Sequence, residues 1–195
     1  MQELTPELLL AAYAEGYFPM APSRHVKDIN WYSPDPRAII PLDGFHVPRS
    51  LAKLVKKAPF TVTTDKDFRR VINACAERKA TWINDEITEL YCQLHRMGFA
   101  HSIECWQGDE LAGGLYGVTL GSAFFGESMF TRIENASRIA LVHLVAMLNA
   151  KGYQLLDTQF VNDHLLQFGV VEIGRDEYLE RLDEAVHTPP LAEWA

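Results

Sequence analysis

The sequence predicts an α+β fold (of α/β type) in which a small, loop-rich N-terminal lobe precedes a larger domain built on a mostly antiparallel sheet. Three observations predict it. The first lobe holds Pro19, Pro22, Pro34, Pro36, Pro41 and Pro48 amid dense aromatics, residues 101–127 read as three strands joined by tight turns, and helical periodicity flanks those strands on both sides. At 195 residues and 48% apolar content, the chain can bury a sizeable core in one domain plus a small lobe.

The elements follow in order. Thr5-Pro6-Glu7 ahead of LLLAAYAEG is a capped helix with proline at its first position, stopping near Glu15 before Gly16. The prolines that follow are too many for regular structure, yet Tyr17, Phe18, Trp31, Tyr32 and Phe45 exclude a disordered linker. Ser50 to Lys57 suits a short basic helix with Leu51 and Leu54 facing inward, closing a lobe over residues 1–58. The domain over 59–195 opens with FTVTT as a strand, a helix from Asp67 to Glu77, and a second from Asn84 to Met97 with Ile87, Leu90, Tyr91 and Leu94 at helical spacing. HSIECWQ, the turn Gly108-Asp109 and ELAGGLYGVTL form a hairpin, and SAFFGE after Gly121 adds a third strand, at whose end Glu127 passes into the following loop. Asn135 caps an apolar helix that runs to Ala150, Gly152 ends it, YQLLDTQ is a further strand, and a last helix spans Arg175 to Val186.

Composition narrows the function. No stretch approaches the roughly 20 apolar residues of a membrane helix, and the acidic start MQELTPELLL is unlike a signal peptide. Cys75, Cys92 and Cys105 are odd in number and widely spaced, so a reducing cytoplasm is expected, without disulfides or a zinc site. The histidines show no metal spacing, and no metal or cofactor is expected. The net charge of −8 opposes nonspecific nucleic-acid binding, but nine cations against three acids between His46 and Lys79 make that segment +6 and the remainder −14. Such a segment is either a solvated helix face or a phosphate-binding edge.

The element order is that of the acetyl-CoA-dependent N-acetyltransferases, so an acetyltransferase-like (GNAT-like) fold is expected for the larger domain. Those enzymes hold the coenzyme pyrophosphate on a glycine-rich loop before a helix. Here that place reads GESMFTRIENAS, with one glycine, bulky Met129 and Phe130, and the acid Glu134. The architecture suggests acyl transfer to an amine without the usual acyl carrier.

Four segments carry a more specific likeness: WYSPDPR at 31–37, TWI at 81–83, FFGESMFTRIENAS at 124–137 and LLDTQFVNDHLLQFG at 155–169. Together they resemble the bacterial leucyl/phenylalanyl-tRNA–protein transferase family over essentially the whole chain. The resemblance implies transfer of leucine or phenylalanine, and sometimes methionine, from aminoacyl-tRNA to proteins that begin with Arg or Lys, marking them for degradation. It also implies a two-lobed architecture and no cofactor beyond the charged tRNA, and a monomer is expected.

Aminolysis of an aminoacyl ester needs an unprotonated amine, a stabilised oxyanion and a proton for the leaving ribose oxygen. An α-amino group titrates near 8, so positioning should outweigh strong base catalysis. Asp157 and Gln159 lie two apart on a predicted strand, which puts both on one face. The resemblance assigns Gln159 to the attacking amine and Asp157 to orienting it; an amide is so weak a base that orientation is the expected role. Glu127, helped by Asp157, is the natural carboxylate partner for a cationic first residue on the acceptor. Trp82 and Trp31 are candidates to stack on the terminal adenosine, with Met20 standing where many family members have tryptophan. Phe125, Met129, Phe130 and the face of the 135–150 helix, Met147 included, are candidates for the donor side-chain pocket and are equally good core. Arg49, Lys53, Lys56 and Lys57 are candidates for tRNA phosphates. An acyl-coenzyme-A-dependent acetyltransferase and a catalytically silent tRNA- or degron-binding protein are the competing readings.

Overall fold

In the computed structural model, which describes residues 4–194, Thr5 caps the first helix, α1 (Pro6–Ala14), by accepting from the Leu8 amide at 3.2 Å. Pro6 occupies a first-turn position whose amide needs no partner. The proline-rich stretch is more regular than its composition suggests, which corrects the expectation of loops alone. β1 (Phe18–Met20) and β2 (Asn30–Tyr32) form a two-stranded ribbon, and β3 (Arg37–Ile39) enters the main sheet. Pro19 fits because β1 has only one neighbour, so its missing amide can face away from the pairing.

Next come α2 (Arg49–Lys56), β4 (Thr61–Thr64), α3 (Phe68–Ala76) and α4 (Asp85–Arg96). Side chains cap the latter two helices: Asp67 accepts from the Arg70 amide and Asn84 from the Ile87 amide at 2.8 Å. The meander is β5 (Ala100–Gln107), β6 (Glu110–Leu120) and β7 (Ala123–Thr131), followed by α5 (Ala136–Ala150), β8 (Leu155–Gln159), α6 (Asp163–Leu166), β9 (Val171–Ile173) and α7 (Arg175–His187). Asn135 precedes α5 but makes no side-chain cap; Thr131 instead accepts from the Ser137 amide at 3.1 Å.

The seven-stranded sheet runs β4-β5-β6-β7-β8-β3-β9, with β7 and β8 parallel and every other pair antiparallel. Successive residues divide between two apolar cores. Tyr116, Phe125 and Leu155 face α1, α3, α4 and α7, whereas Leu115, Phe124 and Leu156 face α2 and α5. Full burial of each such apolar side chain contributes about 1.5–3 kcal/mol. The lobe expected over 1–58 thus hands β3 to the sheet of the 59–195 domain, and its α2 packs on α5. Residues 1–3 and 195 of those two ranges lie outside the described residues.

Two irregularities shape the centre of the sheet. Tyr116 pairs with Ser128 while Gly117 pairs with Gly126, so Glu127 is the extra residue of a β-bulge rather than part of a following loop. The bulge breaks the alternation by which a strand end is read, which hides the last residues of β7. The second irregularity is that β7 pairs with β8 only across Ala123–Phe125 and Leu155–Asp157. Beyond that point β7 continues along β6, and β8 along β3.

Gly117 is where the bulge demands a missing side chain: a Cβ there would lie 2.3 Å from the Phe125 carbonyl oxygen and 2.4 Å from the Phe124 ring. Gly117→Ala is therefore expected to destabilise the fold by about 1–3 kcal/mol in urea titration. An unchanged midpoint would contradict the close packing of the bulge.

Candidate functional site

Past the last β7–β8 pair the sheet borders a cavity of about 460 Å³, within the range of small-ligand sites. Its apolar wall includes Leu115, Met129, Phe130, Leu141, Leu144 and Leu156, and its polar residues include Glu127, Ser128, Thr158, Gln159, Asn162 and Arg78. The parting strands supply residues from both faces of the sheet, which a continuous sheet could not do.

The bulge turns Glu127 toward the α1–α4 side. Its carboxylate accepts from the Tyr13 hydroxyl at 2.5 Å and from the Tyr91 hydroxyl at 3.1 Å. Burial pushes its pKa up to about 7, although both tyrosine hydrogen bonds pull the other way. Burial, and then the Glu127 charge, raise both tyrosines well above the ordinary phenol value, so they stay donors. A half-buried acid with a pKa near neutrality beside an apolar cavity can accept a cation and discriminate by charge.

Asp157 is wholly buried and its carboxylate is fully engaged. Oδ1 accepts from Arg37 Nε at 3.0 Å and from the Gln159 amide at 2.9 Å; Oδ2 accepts from Arg37 Nη2 at 2.7 Å and from the Tyr178 hydroxyl at 2.8 Å. Arg37, also at 0% exposure, donates its remaining terminal nitrogen to the Gly16 carbonyl at 2.9 Å and lies over the rings of Phe18 and Tyr178, at 5.0 and 4.4 Å. Burial pulls the Arg37 pKa down, but the hydrogen bonds and charge of Asp157 outweigh it and leave the guanidinium above its ordinary value.

Gln159 ends β8 with φ +60, and the Phe160 amide donates to the Thr158 carbonyl at 2.6 Å. These are the marks of a γ-turn centred on Gln159 in its rare, strained form. Strand alternation stops there, so Asp157 and Gln159 differ in setting: Asp157 is enclosed by Arg37 and Tyr178, whereas Gln159 lines the cavity and its buried Nε2 has no partner among the described residues.

The cavity thus gathers Glu127, Gln159, Trp82, Met129 and Phe130 from the sequence-predicted set, and not Asp157, Trp31, Met20 or Phe125. Phe125 is fully buried with its ring 4.8 Å from that of Tyr13. Trp31, 38% exposed, sits opposite Pro19 in the ribbon, and Met20 opposite Asn30. The Ala21 amide donates to the Trp82 carbonyl at 3.3 Å, which brings the ribbon beside the cavity wall. Met147 lines a second cavity of about 380 Å³ with Val55, Phe60, Ile103 and His143. Arg49, Lys53, Lys56 and Lys57 are all exposed at α2, which buries Leu51. Sequence reading missed Tyr13, Tyr91, Tyr178 and Arg37; the only signal for Arg37 was its place as the last residue of WYSPDPR, directly before the apolar Ala38-Ile39-Ile40.

Two histidines that look unrelated in sequence meet at a carboxylate. Asp65, His95 and His101 form the one group among the described residues with metal-compatible spacing, their ligand atoms within 4.8 Å of one another. Those atoms are already committed to the fold: His101 Nδ1 bonds Asp65 at 2.7 Å and Nε2 bonds the Gly98 carbonyl at 3.0 Å, while His95 Nδ1 bonds the Ala100 carbonyl at 2.8 Å.

Residues 39–183 match the family described as leucyl/phenylalanyl-tRNA protein transferase, and residues 2–35 match the N-terminal domain of the same family. The chain is 56% identical over 188 residues to the leucyl/phenylalanyl-tRNA–protein transferase of Rhodopseudomonas palustris, covering 94% of this chain and 84% of the relative. It is 54% identical over 187 residues to that of Zymomonas mobilis, covering 94% and 70%, and 51% identical over 188 residues to that of Salinibacter ruber, covering 96% and 83%. Among solved structures it is similar to L-PGS from Bacillus licheniformis, at 14% identity and a TM-score of 0.43 over 82% of this chain and 55% of that one, too loose a likeness to bear on function.

The pKa of Glu127 gives a signed prediction. An unfolded glutamate titrates near 4.3, so a folded value of about 7 means that Glu127 favours the fold when protonated. That contribution is complete below about pH 4 and is lost as pH rises through about 7. Glu127→Gln stays neutral throughout, so its Tm relative to wild type should rise between pH 5 and pH 8. A difference that is flat with pH would contradict the assigned environment.

Proposed function

The chain belongs to the leucyl/phenylalanyl-tRNA–protein transferase family, and from that premise we propose that it transfers leucine or phenylalanine, with methionine as a further donor, from aminoacyl-tRNA to proteins that begin with Arg or Lys. The observation that carries the proposal is one cavity whose apolar wall is bordered by Glu127 on one strand and Gln159 on the other. Leu115, Met129, Leu141, Leu144 and Leu156 suit an aliphatic or aromatic donor side chain, and Glu127 suits the cationic side chain of the acceptor's first residue.

The acceptor nitrogen attacks the ester carbonyl carbon, the bond from that carbon to the ribose oxygen breaks, an amide forms, and the proton leaving the nitrogen ends on the ribose oxygen. Gln159, with a side-chain amide nitrogen lacking a partner among the described residues, orients the reacting groups; Asp157 acts behind it. Trp82 stacks on the terminal adenosine, with Met20 and Trp31 flanking it from the ribbon, and Phe125 backs the wall through Tyr13. The exposed cations Arg49, Lys53, Lys56 and Lys57 hold acceptor-stem phosphates. The mostly antiparallel sheet with one parallel pair and a bulge beside it fits the acetyltransferase-like architecture, here using charged tRNA as a co-substrate with no further cofactor. A monomer acting in the cytoplasm completes the reading, and no helix among the described residues is long and apolar enough to cross a membrane.

Mass spectrometry of peptide products made with total charged tRNA tests the proposal. Leu or Phe should appear on peptides starting with Arg or Lys; preference for peptides starting with Asp or Glu would refute it, and incorporation only from acetyl-coenzyme A would return the chain to ordinary acetyl transfer. Glu127→Gln should lower kcat/KM for an Arg-starting peptide by about 30-fold, the equivalent of roughly 2 kcal/mol for a hydrogen bond to a charged group. Reversing charge at Lys53 and Lys56 together should weaken tRNA binding and flatten its dependence on salt; unchanged affinity would leave α2 a solvated face.

A further inference from the structure

Arg37 and Asp157 are 120 residues apart and form a fully buried ion pair in which Arg37 Nε donates to Oδ1 and Nη2 to Oδ2 of the carboxylate. Neither residue lines the cavity. Their connection to it runs through the backbone, because the oxygen that accepts from Arg37 Nε also accepts from the Gln159 amide. That amide belongs to the central residue of the strained γ-turn, the one place on β8 where a non-glycine residue holds a positive φ. A residue forced into this region persists only where its surroundings over-determine it. Here they do: Asp157 Oδ1 grips the amide, while Arg37, the Tyr178 hydroxyl and the rings of Phe18 and Tyr178 leave Asp157 no other orientation.

We propose that Arg37 is a positioning residue for peptide-bond formation, acting through Asp157 to hold the Gln159 backbone turn and so aim the Gln159 side-chain amide into the cavity. The proposal rests on aminoacyl transfer being the activity of this cavity. The direction of the coupling follows from the bonding. Asp157 makes four hydrogen bonds and three come from Arg37 and Tyr178, so loosening these frees the carboxylate to rotate away from the Gln159 amide. Released, Gln159 relaxes toward ordinary strand geometry, in which its side chain shares the Asp157 face instead of entering the cavity. Tyr178 belongs to the same device and offers a gentler probe, because Tyr178→Phe removes one hydroxyl and keeps the ring over Arg37.

Single-turnover transfer from phenylalanyl-tRNA to an Arg-starting peptide, with enzyme in excess, is measured for wild type, Arg37→Lys, Tyr178→Phe and Gln159→Ala, and for each of the first two substitutions combined with the third. Arg37→Lys keeps the charge but cannot bond both oxygens in the same way. It should slow the chemical step by roughly 10- to 100-fold, and Tyr178→Phe by roughly 3- to 10-fold, with peptide KM within about twofold. In the Gln159→Ala background both effects should shrink to within about twofold of unity, since the group they position is gone. Equal losses with and without Gln159 would overturn the proposal, because a purely structural role costs the same in both. If Arg37→Lys does not fold, Tyr178→Phe decides alone. If Gln159→Ala falls to the uncatalysed rate, the decision passes to Tyr178→Phe folded as wild type: a slower step at constant KM supports the proposal and an unchanged step overturns it. A wild-type chain that transfers nothing from charged tRNA overturns the functional reading itself, a result distinct from all of these.

Discussion

The ion pair between Arg37 and Asp157 is the interaction on which the rest of the site depends. It joins the segment after α1, the inner strand β3, the end of β8 and α7 at one fully buried point. A buried pair of this kind adds little net stability over an apolar substitute, because desolvation offsets most of the attraction; losing one partner, however, costs about 3–5 kcal/mol by stranding a charge. Its value lies in geometry. Planar two-point bonding and two flanking rings allow one orientation of the carboxylate, and that orientation sets the backbone of Gln159.

The cavity itself comes from interrupting a sheet. Parallel pairing of β7 with β8 lasts three residues and then stops, while a bulge at Glu127 re-aims the longer strand. One interruption thus presents an acid whose pKa is raised to about 7 by burial, and the other presents a side-chain amide whose nitrogen lacks a partner among the described residues. The walls between them are leucines drawn from the core that faces α2 and α5. Substrate selection and amine orientation can therefore sit on separate strands, each supported by its own hydrogen-bond set: tyrosines behind Glu127, and the Arg37–Asp157 pair behind Gln159.

Much of this was legible in the sequence, for physical reasons that differ by element. Thr5-Pro6, Asp67 and Asn84 announce helix starts because capping is local chemistry, and the meander shows because alternation and the Gly108-Asp109 turn are local too. β1, β2, β3 and β9 escape because three-residue strands carry no periodicity and exist only through their partners. Glu127 and Gln159 stand out by motif, but their backbones do not: a bulge and a positive φ at glutamine contradict local preference and are held by tertiary contacts. Arg37, Tyr13, Tyr91 and Tyr178 were missed because an arginine or tyrosine in a core-forming stretch looks like any other until the carboxylate it serves is placed beside it.

The most direct test of the account is a crystal structure with phenylalanyl-adenosine in which an amide replaces the labile ester. The phenyl ring should lie among Leu141, Leu144, Leu156 and Met129, the adenine near Trp82, and the carbonyl within hydrogen-bond distance of the Gln159 side chain. An analogue seated instead in the second cavity, beside Val55, Phe60 and Met147, would contradict the placement of the chemistry at the parting of β7 and β8.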